Sequence, residues 1–110
     1  MNYFVSVKDA ELKDFKNHYI YLLANEKNGC VNGCKMGISV YTTTEFLPTT
    51  VHDDQEGFYV LEGTGYVKLD RAEYYIEPGM SFIVPAGVDH TVRKAEGSEN
   101  VKLFWFHAAV

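Results

Sequence analysis

Short runs of apolar and β-branched residues recur along most of the chain, separated by turns rich in glycine, proline, asparagine and aspartate. Such runs predict β-strands, and no long window shows the 3.6-residue periodicity of an amphipathic helix. Pro48 is expected to bend or interrupt the second strand, because proline cannot donate to a β-ladder. The predicted strands span residues 18–25, 35–46, 57–63, 66–70, 72–79, 81–85, 90–97 and 99–110.

The same pattern indicates the fold class. Short strands at near-regular spacing with Gly/Pro turns favour an all-β sandwich or barrel. Residues 25–33 are dense in turn-forming residues and are predicted to be a loop. Only residues 9–15 are expected to form a short helical turn, with Asp9 as its cap. The 110 residues are predicted to form a single domain, 1–110.

Composition and charge narrow the range of partners. The chain is 46% hydrophobic and 15% aromatic, which is enough for a core. Its net charge is −5 with scattered basic residues, so we expect no nucleic-acid partner. We find no apolar signal run and no segment long enough to span a bilayer, so we expect a cytoplasmic protein with no membrane partner. Cys30 and Cys34 are then expected to be reduced thiols in a turn, with a redox or metal role as the alternative.

Several predicted strands are apolar on both faces, as in the run Leu-Phe-Trp-Phe at 103–106. One face can fill a barrel, and the other needs a second layer or a partner chain. We therefore expect a homodimer. The alternative is that the N-terminal strands cover the second face within one chain.

Histidine and glutamate occur together at the ends of predicted strands. His52 precedes a three-residue turn and Glu56 follows it, so both side chains can point to one place. His90 begins a strand directly after the sharp turn at Pro85 and Gly87. Two imidazoles and one carboxylate form the facial arrangement typical of non-haem iron, which manganese, nickel, copper or zinc can also use.

These residues resemble the two motifs of the cupins, small β-barrels of the double-stranded β-helix (jelly-roll) type. The first motif is G-x5-H-x-H-x3or4-E-x6-G, and the second is G-x5-P-x-G-x2-H-x3-N. The matching positions are His52, Glu56, Gly63, Gly79, Pro85, Gly87 and His90. The resemblance covers residues 44–94 directly and implies an all-β cupin-type barrel.

The chain departs from the family pattern at three positions. Thr44 stands for the opening glycine, Lys94 for the closing asparagine, and Thr50 for the first histidine. The resemblance implies a metal held by three histidines and one glutamate, but only His52, Glu56 and His90 carry over. A neutral threonine hydroxyl is a poor ligand for a divalent transition metal, so metal affinity is expected to fall.

Three interpretations of the site stay open beside that of a His/Glu pair with no ligand. His52, Glu56 and His90 could hold a divalent transition metal, Fe, Mn, Ni or Zn, with open positions for water or substrate. Asp54 could join as a fourth ligand. Alternatively, no metal binds and the cluster hydrogen-bonds an organic ligand. His107 is expected to be a core or interface histidine, although it could also replace the histidine missing at Thr50.

The expected function follows from this site and its walls. If Phe58, Val60 and Trp105 face inward, they give a largely apolar pocket for a small organic ligand. The resemblance implies a metal-binding cupin that binds or transforms a small organic molecule, with isomerase, dioxygenase and lyase chemistry all open. The first alternative is a non-enzymatic, sugar-like binding module without metal. A metal-independent relative of sugar-nucleotide epimerases is a further alternative.

Overall fold

The computed structural model describes residues 1–15 and 18–110. Within these residues it contains nine β-strands and two 3-10 turns, Val7–Asp9 and Glu26–Asn28, so the all-β prediction is confirmed. Neither turn is a helix long and apolar enough to cross a membrane, and the described residues contain no other candidate. The strands are β1 (Glu11–Asp14), β2 (His18–Ala24), β3 (Lys35–Tyr41), β4 (Glu56–Glu62), β5 (Gly65–Leu69), β6 (Ala72–Ile76), β7 (Ser81–Val84), β8 (His90–Lys94) and β9 (Val101–His107).

The strands form two antiparallel sheets. The larger sheet has the order β1-β2-β3-β9-β4-β7, and the smaller has the order β6-β5-β8. The last strand in the sequence, β9, therefore lies inside the larger sheet and pairs with both β3 and β4. This order places Glu56, the first residue of β4, directly opposite His107, the last residue of β9.

The apolar core lies between the two sheets. Alternation along β9 buries Val101, Leu103, Trp105 and His107 on one face. The larger sheet contributes Val60 and Leu103, which are fully buried. The smaller sheet contributes further valines and an isoleucine that pack against them, so burial of apolar surface joins the two sheets.

The helical turn predicted at residues 9–15 is wrong. Residues Glu11–Asp14 form β1, which pairs with β2 in the register Glu11↔Leu22 to Asp14↔Tyr19. Asp9 is the last residue of the preceding 3-10 turn, where Ser6 holds the N-cap position. All four β1 residues, Glu-Leu-Lys-Asp, are exposed, and they show no alternation of apolar and polar positions. The segment forms a strand because it pairs with β2.

Several strands are shorter than the apolar pattern predicts. β3 ends at Tyr41, where irregular backbone follows, and β6 ends at Ile76 before a turn in which Met80 N donates to Glu77 O at 3.1 Å. The thiols of Cys30 and Cys34 are free, in the loop between β2 and β3.

Candidate metal centre

Two imidazoles converge on one carboxylate oxygen at one end of the space between the sheets. His52 lies in the loop before β4, Glu56 begins β4, and His90 begins β8 in the opposite sheet. His52 Nε2 is 3.4 Å from Glu56 Oε1, and His90 Nε2 is 3.2 Å from the same oxygen. The structure thus brings together the three residues on which the sequence analysis based its metal site.

Backbone hydrogen bonds hold the two motif segments together. Gly87 N donates to His52 O at 2.8 Å, which ties the turn before β8 to the loop before β4. Thr50 and His90 exchange two backbone bonds, with Thr50 N to His90 O at 2.9 Å and His90 N to Thr50 O at 3.0 Å. These bonds hold the backbone of His52 and that of His90 in place, and the side chains of both contact Glu56.

Glu56 has an unusual environment for a carboxylate. The residue is only 6% exposed, and among the described residues its Oε1 atom has no hydrogen-bond partner. Burying a carboxylate oxygen without a donor is costly. A cation between Oε1 and the two imidazole nitrogens would remove that cost, and these three ligand atoms lie within 4.8 Å of one another. The three residues therefore fit a divalent transition metal in ligand type and placement.

The protonation of the imidazoles follows from their surroundings. Burial lowers the pKa of His52, and the nearby His107 and His90 lower it further against the opposing charge of Glu56. His52 is therefore neutral near pH 7, as a metal ligand must be. For His90, burial opposes protonation, but the contacts with Glu56 and the Val88 carbonyl outweigh it and raise the pKa.

His107 joins this cluster from β9. It is 4% exposed, and its Nε2 atom lies 3.3 Å from Glu56 Oε2. Its Nδ1 atom lies 3.0 Å from both carboxylate oxygens of Asp54. The expectation of a core or interface histidine thus captured its burial but not these two contacts. Period-two alternation from Leu103 predicts its inward direction, but only the β4–β9 pairing places it beside Glu56.

The two other candidate ligands of the sequence analysis differ in their placement. Thr50 is exposed and lies beside His90 at the edge of the cavity that the cluster lines. Asp54 contacts His107, and these two residues with His52 form a second group whose ligand atoms lie within 4.8 Å of one another. Contact with His107 lowers the pKa of Asp54 despite the opposing effect of burial, so Asp54 is ionised at neutral pH.

The cluster lies at the wall of a cavity of about 210 Å³. Phe58 and Trp105 line this cavity, whereas Val60 lies in the apolar core outside it. Burial, and secondarily the charge of Glu56, raises the pKa of Tyr41, which therefore keeps its hydroxyl proton. The sequence analysis did not predict the remaining lining residues His18, Ile20, Lys35, Ser39 and Tyr41.

Solved structures with the same fold include enzymes. Hydroxypropylphosphonic acid epoxidase from S. wedmorenis superposes with a TM-score of 0.83 at 18% identity, over 96% of this chain and 58% of that one. An Fe(II) form of HppE with an alternative substrate, (S)-1-HPP, superposes with a TM-score of 0.81 at 17% identity, over 96% and 59%. The chain therefore spans about three fifths of the length of these structures.

A third similar structure is the polyketide cyclase RemF from Streptomyces resistomycificus. It superposes with a TM-score of 0.78 at 18% identity, over 97% of this chain and 80% of that one. At these identities the likeness shows a shared fold. No curated protein matches the sequence of the chain.

The family of this chain follows from a match to a family model. The model described as "Cupin domain" matches residues 40–107, which is more than half of the chain. The matched segment includes every residue of the cluster, from His52 to His107. It also contains both of the motifs from which the resemblance was drawn, and the cupin prediction is confirmed. This chain belongs to the cupin family.

Proposed function

We propose that this cupin binds a divalent transition metal through His52, Glu56 and His90, and binds or transforms a small organic molecule beside it. The observation that carries the proposal is the buried Oε1 atom of Glu56, which faces two imidazole nitrogens at 3.2 and 3.4 Å without a hydrogen bond. Nitrogen and carboxylate ligands in this ratio suit Fe, Mn, Ni and Zn. The Fe(II) form of HppE makes Fe(II) the first ion to test.

In this proposal the cluster holds the metal, and the cavity walls bind the organic molecule. A bound metal would supply Lewis-acid or redox chemistry. Phe58 and Trp105 form an apolar wall that displaces water from the site, while Tyr41 and Ser39 offer hydroxyl groups that can orient a polar substrate. Lys35 lies opposite His107 in the β3–β9 pair and lines the same cavity, where its ammonium group can attract an anionic group of the substrate.

The cavity limits the class of substrate. Its volume of about 210 Å³ lies below the range of about 300–1,000 Å³ that is common for drug-sized ligands. A small organic molecule with one polar or anionic end fits these walls. The similar structures include an epoxidase and a cyclase, so the fold leaves the reaction type open among isomerase, dioxygenase and lyase chemistry.

Metal content tests the proposal directly. The protein is purified without chelator or histidine tag, and its metal is measured by mass spectrometry beside His52→Ala and His90→Ala. We expect about one equivalent of transition metal in the parent and its loss in both variants. His18→Ala is the matched control, because His18 lines the same cavity but belongs to neither group of candidate metal ligands among the described residues, and it should keep the metal.

A parent protein that holds no metal after loading with Fe, Mn, Ni and Zn would overturn the proposal. The replacement of the first motif histidine by Thr50 favours the alternative of a metal-free, sugar-like binding module in that case. Screening small acids and sugars for a shift in thermal unfolding would then test that alternative.

We also propose that a second copy of the chain covers the outer face of the larger sheet. On that face, Tyr59, Leu61, Ile83 and Phe106 are between 39% and 54% exposed. The β4–β7 and β4–β9 registers place Ile83 and Phe106 on either side of Gly57. Contiguous exposed apolar surface of this kind is typical of an interface. Sedimentation equilibrium of the parent and Ile83→Lys would reveal a dimer and its loss. The cytoplasmic location stays a prediction, which cell fractionation tests.

A further inference from the structure

His107 and His90 have matching environments, although only His90 belongs to a family motif. Both are buried, at 4% and 7% exposed. The Nδ1 atom of His107 lies 3.0 Å from the Asp54 carboxylate, and that of His90 lies 3.3 Å from the Val88 carbonyl. An oxygen acceptor at Nδ1 holds the ring proton there, so in the neutral rings both Nε2 atoms carry a lone pair.

In the neutral rings, which are the forms that bind a metal, the two Nε2 lone pairs face the same carboxylate. His90 Nε2 lies 3.2 Å from Glu56 Oε1, and His107 Nε2 lies 3.3 Å from Glu56 Oε2. A lone pair facing a carboxylate oxygen is repulsive, and a cation between them converts the contact into coordination. His107 therefore has the same kind of contact with Glu56 that supports His90 as a ligand.

We propose that His107 is a fourth protein ligand of the metal and that Asp54 orients it without binding the metal. This inference rests on the proposed function. It places a third imidazole in the coordination shell although Thr50 occupies the first motif position. The third imidazole comes from β9, at the far end of the sequence.

The contacts of Glu56 have lengths close to the ligand spacing around one ion. Metal–ligand bonds of about 2.0–2.2 Å place neighbouring ligand atoms about 3 Å apart around an octahedral ion. The contacts of Glu56 with His52, His90 and His107 are 3.4, 3.2 and 3.3 Å, but His107 contacts Oε2 and the other two contact Oε1. Binding of one ion by all four residues therefore requires the Glu56 carboxylate or the His107 ring to move. The ring of His52 lies between the other two, with centroids 5.2 Å from His90 and 4.8 Å from His107.

Asp54 has the placement of an orienting carboxylate. Both of its oxygens lie 3.0 Å from His107 Nδ1. Ala108 N donates to Gln55 O at 3.0 Å, which holds the loop carrying Asp54 against the end of β9. A carboxylate that accepts the second N–H of a metal-bound histidine fixes the ring and raises its basicity, and its loss typically weakens metal affinity about 10–100-fold.

The experiment counts imidazoles and measures affinity in the same variants. Cu(II)-loaded protein is examined by electron spin-echo envelope modulation, which counts coordinated imidazoles, and Co(II) affinity is measured by competition with a chromophoric chelator. We expect three imidazoles in the parent and two in His107→Gln, with affinity at least about 100-fold weaker. Asp54→Asn should keep three imidazoles and bind about tenfold more weakly.

Two comparisons control the result. Thr50→Val changes the motif position without touching the proposed ligands, and its count and affinity should equal those of the parent. Asp54→Asn should have no further effect on affinity in the His107→Gln background, because Asp54 acts through that ring. Circular dichroism of the metal-free variants verifies that they are folded.

The outcomes separate this inference from the proposed function. An unchanged imidazole count in His107→Gln, or an unchanged affinity, would overturn the assignment and leave the three-ligand site intact. His107 would then be a structural residue that contacts Asp54 and Glu56. A parent that binds neither Cu(II) nor Co(II) would overturn the proposed function and this assignment together.

Discussion

Strands β4 and β9 lie side by side through the interior, and their two ends differ in chemistry but not in burial. At one end Val60 is opposite Leu103, and both are 0% exposed. At the other end Glu56 is opposite His107, at 6% and 4% exposed. All four side chains follow the same inward alternation of the two strands.

The difference separates the apolar contacts that stabilise the barrel from its buried polar cluster. Burial of apolar surface stabilises the fold by about 25 cal/mol per Å² and needs no particular partner. A buried carboxylate is tolerated only where imidazoles or a cation compensate its charge. The apolar end can therefore hold the two sheets together, while at the polar end the buried Oε1 atom of Glu56 has no hydrogen-bond partner among the described residues.

We expect the largest effect on stability at Leu103, at the apolar end of the β4–β9 pair. Leu103→Ala removes buried methyl groups and leaves a cavity, so the free energy of unfolding should fall by about 2–5 kcal/mol. The metal bound per folded chain should not change, because Leu103 does not line the cavity. Urea unfolding and mass spectrometry measure the two quantities.

Leu12→Ala is the control for this experiment. Leu12 lies on β1 and is 54% exposed, so its truncation should cost less than about 1 kcal/mol. Loss of metal from folded Leu103→Ala protein would show that the apolar end also affects metal binding, which contradicts this prediction.

The turns at the two ends offer a second comparison. Gly63 and Gly87 have φ of +76° and +80°, a region that favours glycine. A Cβ atom at Gly63 would lie 2.3 Å from Asn100 O, whereas one at Gly87 would have nothing within 4 Å. Gly87→Ala should cost about 1–2 kcal/mol of stability, the backbone term alone, and Gly63→Ala should cost more. Equal losses of unfolding free energy in the two variants, measured by urea unfolding, would show that the backbone near Asn100 moves to admit the Cβ atom at little cost.

We expect a smaller, pH-dependent effect on stability at Asp54, at the polar end. The folded protein holds the pKa of Asp54 below its usual value, through its contact with His107. Ionised Asp54 therefore stabilises the metal-free fold above its unfolded pKa of about 3.9, and this stability is lost as pH falls through the lower folded pKa. Asp54→Asn should cost about 1 kcal/mol at pH 7 and progressively less below about pH 4.

Urea unfolding of chelated protein at pH 7, 5 and 3 measures this dependence. Asp53→Asn is the matched control, since Asp53 is its exposed neighbour in the same loop and should show little change at any of these values. A cost for Asp54→Asn that stays constant from pH 7 to pH 3 would exclude the ionic contribution.

Much of the fold and part of the site could be predicted from the sequence. Strand alternation and turn residues are local signals, so the strands around Phe58, Val67 and Phe82 were expected close to their observed bounds. The spacing of His52, Glu56 and His90 matched a family pattern, which carries the tertiary arrangement of the family with it. These three residues do converge in the structure.

Only the tertiary structure decided the rest. β1 has no apolar alternation, and its pairing with β2 makes it a strand. The inward direction of His107 follows from the sequence, but its contact with Glu56 depends on the insertion of β9 between β3 and β4. Period-two alternation tells which face a side chain occupies, whereas the neighbouring strand is chosen by packing between segments far apart in the chain. That choice brought the third imidazole to the carboxylate.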